Sequence, residues 1–133
     1  MAEQSCRAVL LTCIDFRFFG RVDSLLRSEN LAGAADVIAW PGGGAALALE
    51  DGDVVLDALA LSMRLHRPSE VILVGHEDCG RLKELGDRAP AREPEAFLTS
   101  AARAVISRFP HATVRTVVWR LDGSDDWVGF GAS

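Results

Sequence analysis

The chain has 133 residues, 49% of them apolar, and a formal net charge of −5; at this length folding buries roughly two thirds of the surface an unfolded chain exposes, so a core can form without disulfides. Nineteen acids against 14 bases, with no concentrated basic stretch to neutralise a run of phosphates, exclude nucleic acid as a partner. The apolar runs at 9–11 and 71–74 fall far short of the ~20 residues of a spanning helix, and the first residues carry no signal-peptide pattern, so no membrane partner and a cytoplasmic location are expected. Three cysteines, none in a CxxC pair, argue against a disulfide framework and leave metal binding or thiol reactivity as their specific uses.

In chain order, residues 8–12 form a continuous apolar run suited to a strand buried on both faces, and 37–40, 71–74 and 114–119 read the same way. Between the first two, 23–28 suggests a short helix. Val54, Val55, Ala58, Leu59, Ser62 and Leu65 recur at helical spacing, with Asp53 as N-cap and Arg64, His66 and Arg67 at the end before Pro68. Residues 86–94, rich in proline and charge, read as a mobile connection. A second strong helix opens at Pro94, carries Phe97, Ala101, Ala104, Val105 and Phe109 on one face, and stops at Pro110. Trp127, Val128 and Phe130 form either a closing strand or an apolar tail. Strands alternating with helices predict an α/β fold: one domain over 1–133, three layers, a mostly parallel four-stranded sheet of order 2-1-3-4 with a fifth strand as an option at its edge, and helices on both faces.

Two short motifs sit where strands give way to loops: Cys13-Ile14-Asp15-Phe16-Arg17 after the first strand and His76-Glu77-Asp78-Cys79 after the third. Ligands in open parallel sheets bind outside the carboxyl ends of strands at a switch point, which order 2-1-3-4 places between strands one and three. Those ends would lie roughly 4.8 Å apart in the hydrogen-bonding direction, close enough for one metal to bridge. Cys13, His76 and Cys79 form a soft set of two thiolates and one imidazole that suits Zn²⁺ and leaves a fourth tetrahedral position. If the chain stays extended past Cys13, then Cys13, Asp15 and Arg17 project to one side.

Set together, the motifs resemble the signature of the β-carbonic anhydrases, Cys-x-Asp-x-Arg followed some tens of residues later by His-x-x-Cys, and the likeness in element order spans about residues 8 to 121. The resemblance implies that Cys13, His76 and Cys79 bind zinc, that Asp15 and Arg17 form a catalytic dyad, and that the aspartate can instead swing onto the metal as a fourth ligand. Because parallel sheets need covered faces and edges, and the apolar segment around Trp127 offers a partner surface, a homodimer or higher homo-oligomer is expected. The expected reaction is reversible hydration of carbon dioxide to bicarbonate by a zinc-bound hydroxide. Asp15, kept ionised by the Arg17 guanidinium, would accept the hydroxide's proton and aim its lone pair. The alternatives are hydrolysis of carbonyl sulfide or carbon disulfide, a non-catalytic zinc or small-anion-binding protein, and a redox protein using Cys13 and Cys79 as a dithiol.

The chain departs from that family in Trp40-Pro41-Gly42-Gly43-Gly44, where relatives usually carry an Arg-Asn-Ala-Gly type segment, in the lack of a long N-terminal arm, and in having no tyrosine and Gln4 as its only glutamine. Phe16, Phe18, Phe19 and Trp40 are candidates for an apolar wall. Gly42 to Gly44 read as a tight loop, with anion binding through backbone N–H groups as the alternative. Cys6 reads as a structural thiol, His66 and His111 as cap or surface residues, Glu77 and Asp78 as a solvated acidic loop, and Arg81 and Lys83 as surface charges.

Overall fold

The computed structural model describes residues 4–85 and 93–129. Strands β1 (Ala8–Thr12), β2 (Ala35–Ala39), β3 (Glu70–His76), β4 (Thr113–Trp119) and β5 (Asp125–Val128) form one sheet of order β2-β1-β3-β4-β5. The first four are mutually parallel and β5 runs antiparallel to β4. The order and the closing edge strand are as expected from the sequence, with Trp127 and Val128 in β5; Phe130 lies outside the described residues, as does most of the 86–94 connection.

Period-two alternation sorts the strand side chains onto two cores. Val9, Leu11, Val71, Leu73, Val114 and Val118 pack against helices α2 (Gly52–His66) and α4 (Pro94–Arg108), whereas Leu10, Ile72, Val74, Val117 and Trp119 pack against α1 (Phe19–Ser28). Helices thus cover both faces of β1 and β3, which is why those read as unbroken apolar runs, whereas β2, expected to be buried on both faces over 37–40, spans Ala35–Ala39 at the sheet edge with no residue fully buried.

Several local expectations are corrected. Helix α1 begins at Phe19 rather than Asp23 because a 3₁₀ turn, Phe16–Phe18, feeds into it directly. Helix α2 starts at Gly52, so Asp51 occupies the N-cap position and Asp53 lies in the first turn. The buried stripe of α4 is Pro94, Leu98, Ala101, Ala102 and Val105, which keeps Ala101 and Val105 of the expected face and adds Leu98 and Ala102, because the small Ala101 and Ala102 let the helix lie close on the sheet. Among the described residues no helix is long and apolar enough to cross a membrane.

Candidate metal centre

Register brings the two motifs together. Leu11 of β1 pairs with Leu73 of β3, so Cys13 and His76 emerge side by side at the carboxyl ends of neighbouring strands. Beyond His76 the chain turns through Asp78, which adopts φ 58°, a left-handed conformation that aspartate tolerates better than most residues. The turn returns Cys79 to the N-cap of the short helix α3 (Gly80–Glu84). One donor atom from each of Cys13, His76 and Cys79 lies within 4.8 Å of the other two.

The His76 ring is aimed into this cluster. Its Nδ1 lies 2.7 Å from the Glu77 carbonyl, which can only accept, so Nδ1 carries the hydrogen and Nε2 presents a lone pair. That Nε2 is buried with no hydrogen-bond partner, and a buried polar atom left unsatisfied costs about 1–3 kcal/mol. Phe18 stacks on the ring at 4.3 Å and fixes its plane. A buried unpartnered imidazole nitrogen facing two sulfurs is the donor set that zinc takes, and these three residues are the ones that fit it.

The thiols are unequal. Hydrogen bonding from Cys79 draws the Cys13 pKa well down, against desolvation by burial, and His76 and the Gly42 N–H act in the same direction. Cys79 moves up through that shared proton and then through burial. Burial opposes charge on His76, but the Cys13 sulfur and the Glu77 carbonyl outweigh it and raise its pKa.

Asp15 and Arg17 do meet, though by a different route from an extended chain. The backbone turns at Asp15, whose side chain caps the 3₁₀ turn by accepting from the Arg17 N–H at 3.0 Å. The Arg17 guanidinium grips the same carboxylate through Nε at 3.1 and 3.2 Å and Nη2 at 2.7 Å. This grip lowers the Asp15 pKa to about 2. Asp15 Oδ2 lies 3.9 Å from His76 Nε2, at the rim of the cluster. Arg17 reaches further, to the Asp78 carboxylate and carbonyl, both at 3.0 Å, and Lys83 Nζ contacts Asp78 at 2.6 Å. Asp78 and Lys83 are exposed, as expected, and Asp78 also braces Arg17 while pairing with Lys83. Glu77 Oε1 accepts from the Leu121 N–H at 2.8 Å and ties the motif to the end of β4.

The glycine run crosses the top of the sheet between β1 and β3 as a tight loop. A Cβ on Gly43 would lie 2.6 Å from the Val74 carbonyl oxygen and 2.7 Å from the Cys13 nitrogen. The Gly42 N–H donates to Cys13 Sγ at 3.4 Å, so a backbone donor of this loop serves a sulfur of the Cys13–His76–Cys79 cluster. Arg81, expected on the surface, anchors this loop: it donates to the Pro41 carbonyl at 3.0 Å and bidentately to Asp51 at 2.8 and 2.9 Å, while Trp40 Nε1 donates to the same carboxylate at 2.8 Å. Neither Asp51 nor its link to Arg81 was foreseen; an acid just ahead of a helix reads as a cap. A cleft of about 530 Å³ opens over the cluster, bordered by Asp15, Arg17, Gly42 and the side chains of Ile14 and Phe16. Phe18 supports His76 from beneath, while Phe19 points outward and is 74% exposed.

Hydrogen bonds from Arg81, then Trp40, depress the Asp51 pKa, so this contact stabilises the fold fully above the unfolded carboxylate pKa of about 4 and loses its effect as pH falls through the lower folded value. Asp51→Asn is therefore expected to lower urea stability at pH 7 and to converge on the parent protein near pH 2, as paired unfolding curves would record.

Residues 3–118 match the family model described as "Putative carbonic anhydrase", and the chain belongs to that family. An uncharacterised protein of Rickettsia bellii (strain RML369-C) is 29% identical over 126 residues, covering 86% of this chain and 77% of its own. A crystal structure of carbonic anhydrase from Streptococcus mutans superposes with a TM-score of 0.66 at 18% identity, covering 96% of this chain and 84% of that one. The apo form of a carbon disulfide hydrolase superposes at 0.50 with 15% identity, covering 90% and 76%.

Proposed function

We propose that this protein is a zinc lyase that hydrates carbon dioxide to bicarbonate, with Cys13, His76 and Cys79 as metal ligands and Asp15 and Arg17 as the dyad. The observation that carries the reading is the buried, unpartnered His76 Nε2 facing two cysteine sulfurs, 3.9 Å from the carboxylate of Asp15. A bound zinc ion supplies a Lewis acid that lowers the pKa of water toward neutrality. Asp15, held ionised by Arg17, accepts a hydrogen bond from the attacking water and so orients its lone pair toward carbon. Arg17 is itself braced by Asp78, so the carboxylate has one fixed direction. The Gly42 N–H and the burial of Cys79 hold the sulfurs in place while the cleft admits a small linear substrate. A carbon–oxygen bond forms and one proton leaves to buffer.

Stopped-flow hydration with zinc-loaded protein across pH 6 to 9 tests this reading; no rate above buffer would reject it. Asp15→Asn should keep its zinc and lose about a hundredfold in turnover, the lower range of general acid–base effects, because an amide both donates and accepts and no longer selects one orientation. Full turnover in that variant would dismiss the dyad. The apolar Ile14 and Phe16 at the cleft mouth favour a second reading, hydrolysis of carbon disulfide or carbonyl sulfide, which sulfide release from those substrates would distinguish. The same proposal places the protein in a reducing cytoplasm, where thiolates persist, and in a homo-oligomer, dimeric or larger, that covers the outer edge of β2, where Val37 is 45% exposed.

A further inference from the structure

The opposite end of the sheet carries a second donor cluster. Cys6 just ahead of β1, Asp36 on β2 and His66 at the last position of α2 bring a sulfur, a carboxylate oxygen and a ring nitrogen within 4.8 Å of one another. Seven residues separate Cys6 from Cys13, about 23 Å at the rise of a strand, so the two clusters share no atom. We propose that Cys6, Asp36 and His66 form a second divalent-cation site suited to Zn²⁺, with its fourth position open to water.

The backbone holds these donors together independently of any side-chain contact. The Cys6 N–H donates to the His66 carbonyl at 2.9 Å, and the next amide, Arg7, donates to the Ala34 carbonyl at 2.7 Å. Main-chain bonds close sequence separations of 60 and 27 residues, so little ordering remains for a cation to impose. Asp36 is also oriented from behind: the buried Ser62 hydroxyl donates to Oδ2 at 2.7 Å, one helical turn before His66 on the same face of α2. Such outer hydrogen bonds fix the direction of metal-binding carboxylates. The second carboxylate oxygen, Oδ1, carries neither of these bonds.

One thiolate, one imidazole and one carboxylate make a borderline donor set for which zinc and cobalt are better matched than calcium or magnesium. Donors around a tetrahedral ion with bonds of 2.0–2.3 Å stand about 3.3–3.8 Å apart, so donors within 4.8 Å need close by about 1 Å at most while the nearest pair opens slightly. His66 Nδ1 now lies 2.7 Å from Asp36 Oδ2. On binding, the His66 hydrogen moves from Nδ1 to Nε2, the Cys6 thiol releases its proton to solvent, and each freed lone pair turns to the cation. The side chains of His66 and Asp36 are 32% and 30% exposed, which leaves a path of entry.

Differential alkylation and metal counting on the full chain test the site. In the parent protein, saturating Zn²⁺ is expected to slow alkylation of Cys6, read by mass spectrometry of its peptide, at least tenfold. Stripped protein reloaded with Co²⁺ is expected to take up two equivalents. Cys6→Ser and Asp36→Asn should each remove one equivalent, and Cys13→Ser should remove the other, so failure of the catalytic centre and failure of this site read out separately. Ser62→Ala should weaken the Cys6 site by about 10- to 100-fold, the usual effect of losing an outer-shell partner. Unchanged Cys6 alkylation in the presence of Zn²⁺ overturns the proposal, and this measurement needs no variant to fold.

Discussion

His76→Ala is expected to release one equivalent of zinc, reduce carbon dioxide hydration to the buffer rate and lower the melting temperature. Two losses combine in it. The ring supplies the donor nitrogen that faces both cysteine sulfurs, and without it two thiols cannot hold the ion at neutral pH. The ring is also buried and stacked at 4.3 Å on Phe18, so truncation leaves a cavity beneath the strand ends worth about 3 kcal/mol by comparison with other large-to-small core changes. Metal analysis, stopped-flow assay and calorimetry on the same sample separate the losses: chelated parent protein should show the first, and His76→Ala should melt below even that sample. A variant that retained the full zinc content would remove His76 from the ligand set.

Gly43→Ala is expected to be strongly destabilising. The residue sits at φ 58°, and its added Cβ would fall 2.6 Å from the Val74 carbonyl oxygen and 2.7 Å from the Cys13 nitrogen, both backbone atoms that cannot swing aside. Relief requires the loop to lift off the strand ends, which withdraws the Gly42 N–H from Cys13 Sγ. A cost of about 3–5 kcal/mol follows from strain of this kind, or about 10 °C or more in melting temperature for a domain of this size. Zinc affinity should fall in parallel, because the loop carrying Gly42 and the Cys13 ligand move together. Gly20→Ala, at a position with nothing within 4 Å of the added carbon, is the control and should melt with the parent. Equal melting of both variants would show that the close approach at Gly43 is not real.

Much of the fold was legible because it rests on short-range periodicity. Strands β1 and β3 announced themselves as unbroken apolar runs since both of their faces are covered, and the two long helices by their apolar stripes. The start of α1 was not, since Phe16 and Phe19 are apolar yet exposed at 86% and 74%, which breaks the rule that apolar residues mark the buried face. On α4, Ala101 and Val105 are buried as expected, but Leu98 and Ala102 fill the other buried positions while Phe97 and Ala104 are only half-buried.

The sequence by itself determined that Cys13, His76 and Cys79, the donor set proposed for zinc, sit at two strand ends, because donor chemistry depends on residue type and parallel sheets gather loops at one edge. It determined the alternation that builds two cores. Only the tertiary structure decided how Arg17 turns back on Asp15 while reaching Asp78, how Arg81 and Asp51 clamp the glycine loop so that a backbone amide meets Cys13, and how Cys6 comes to lie beside Asp36 and His66. Apart from the local Arg17–Asp15 pair, these contacts join residues 29 to 61 positions apart. No local pattern encodes them; each depends on strand register and helix placement, which set the final ångströms between groups whose chemistry the chain already carried.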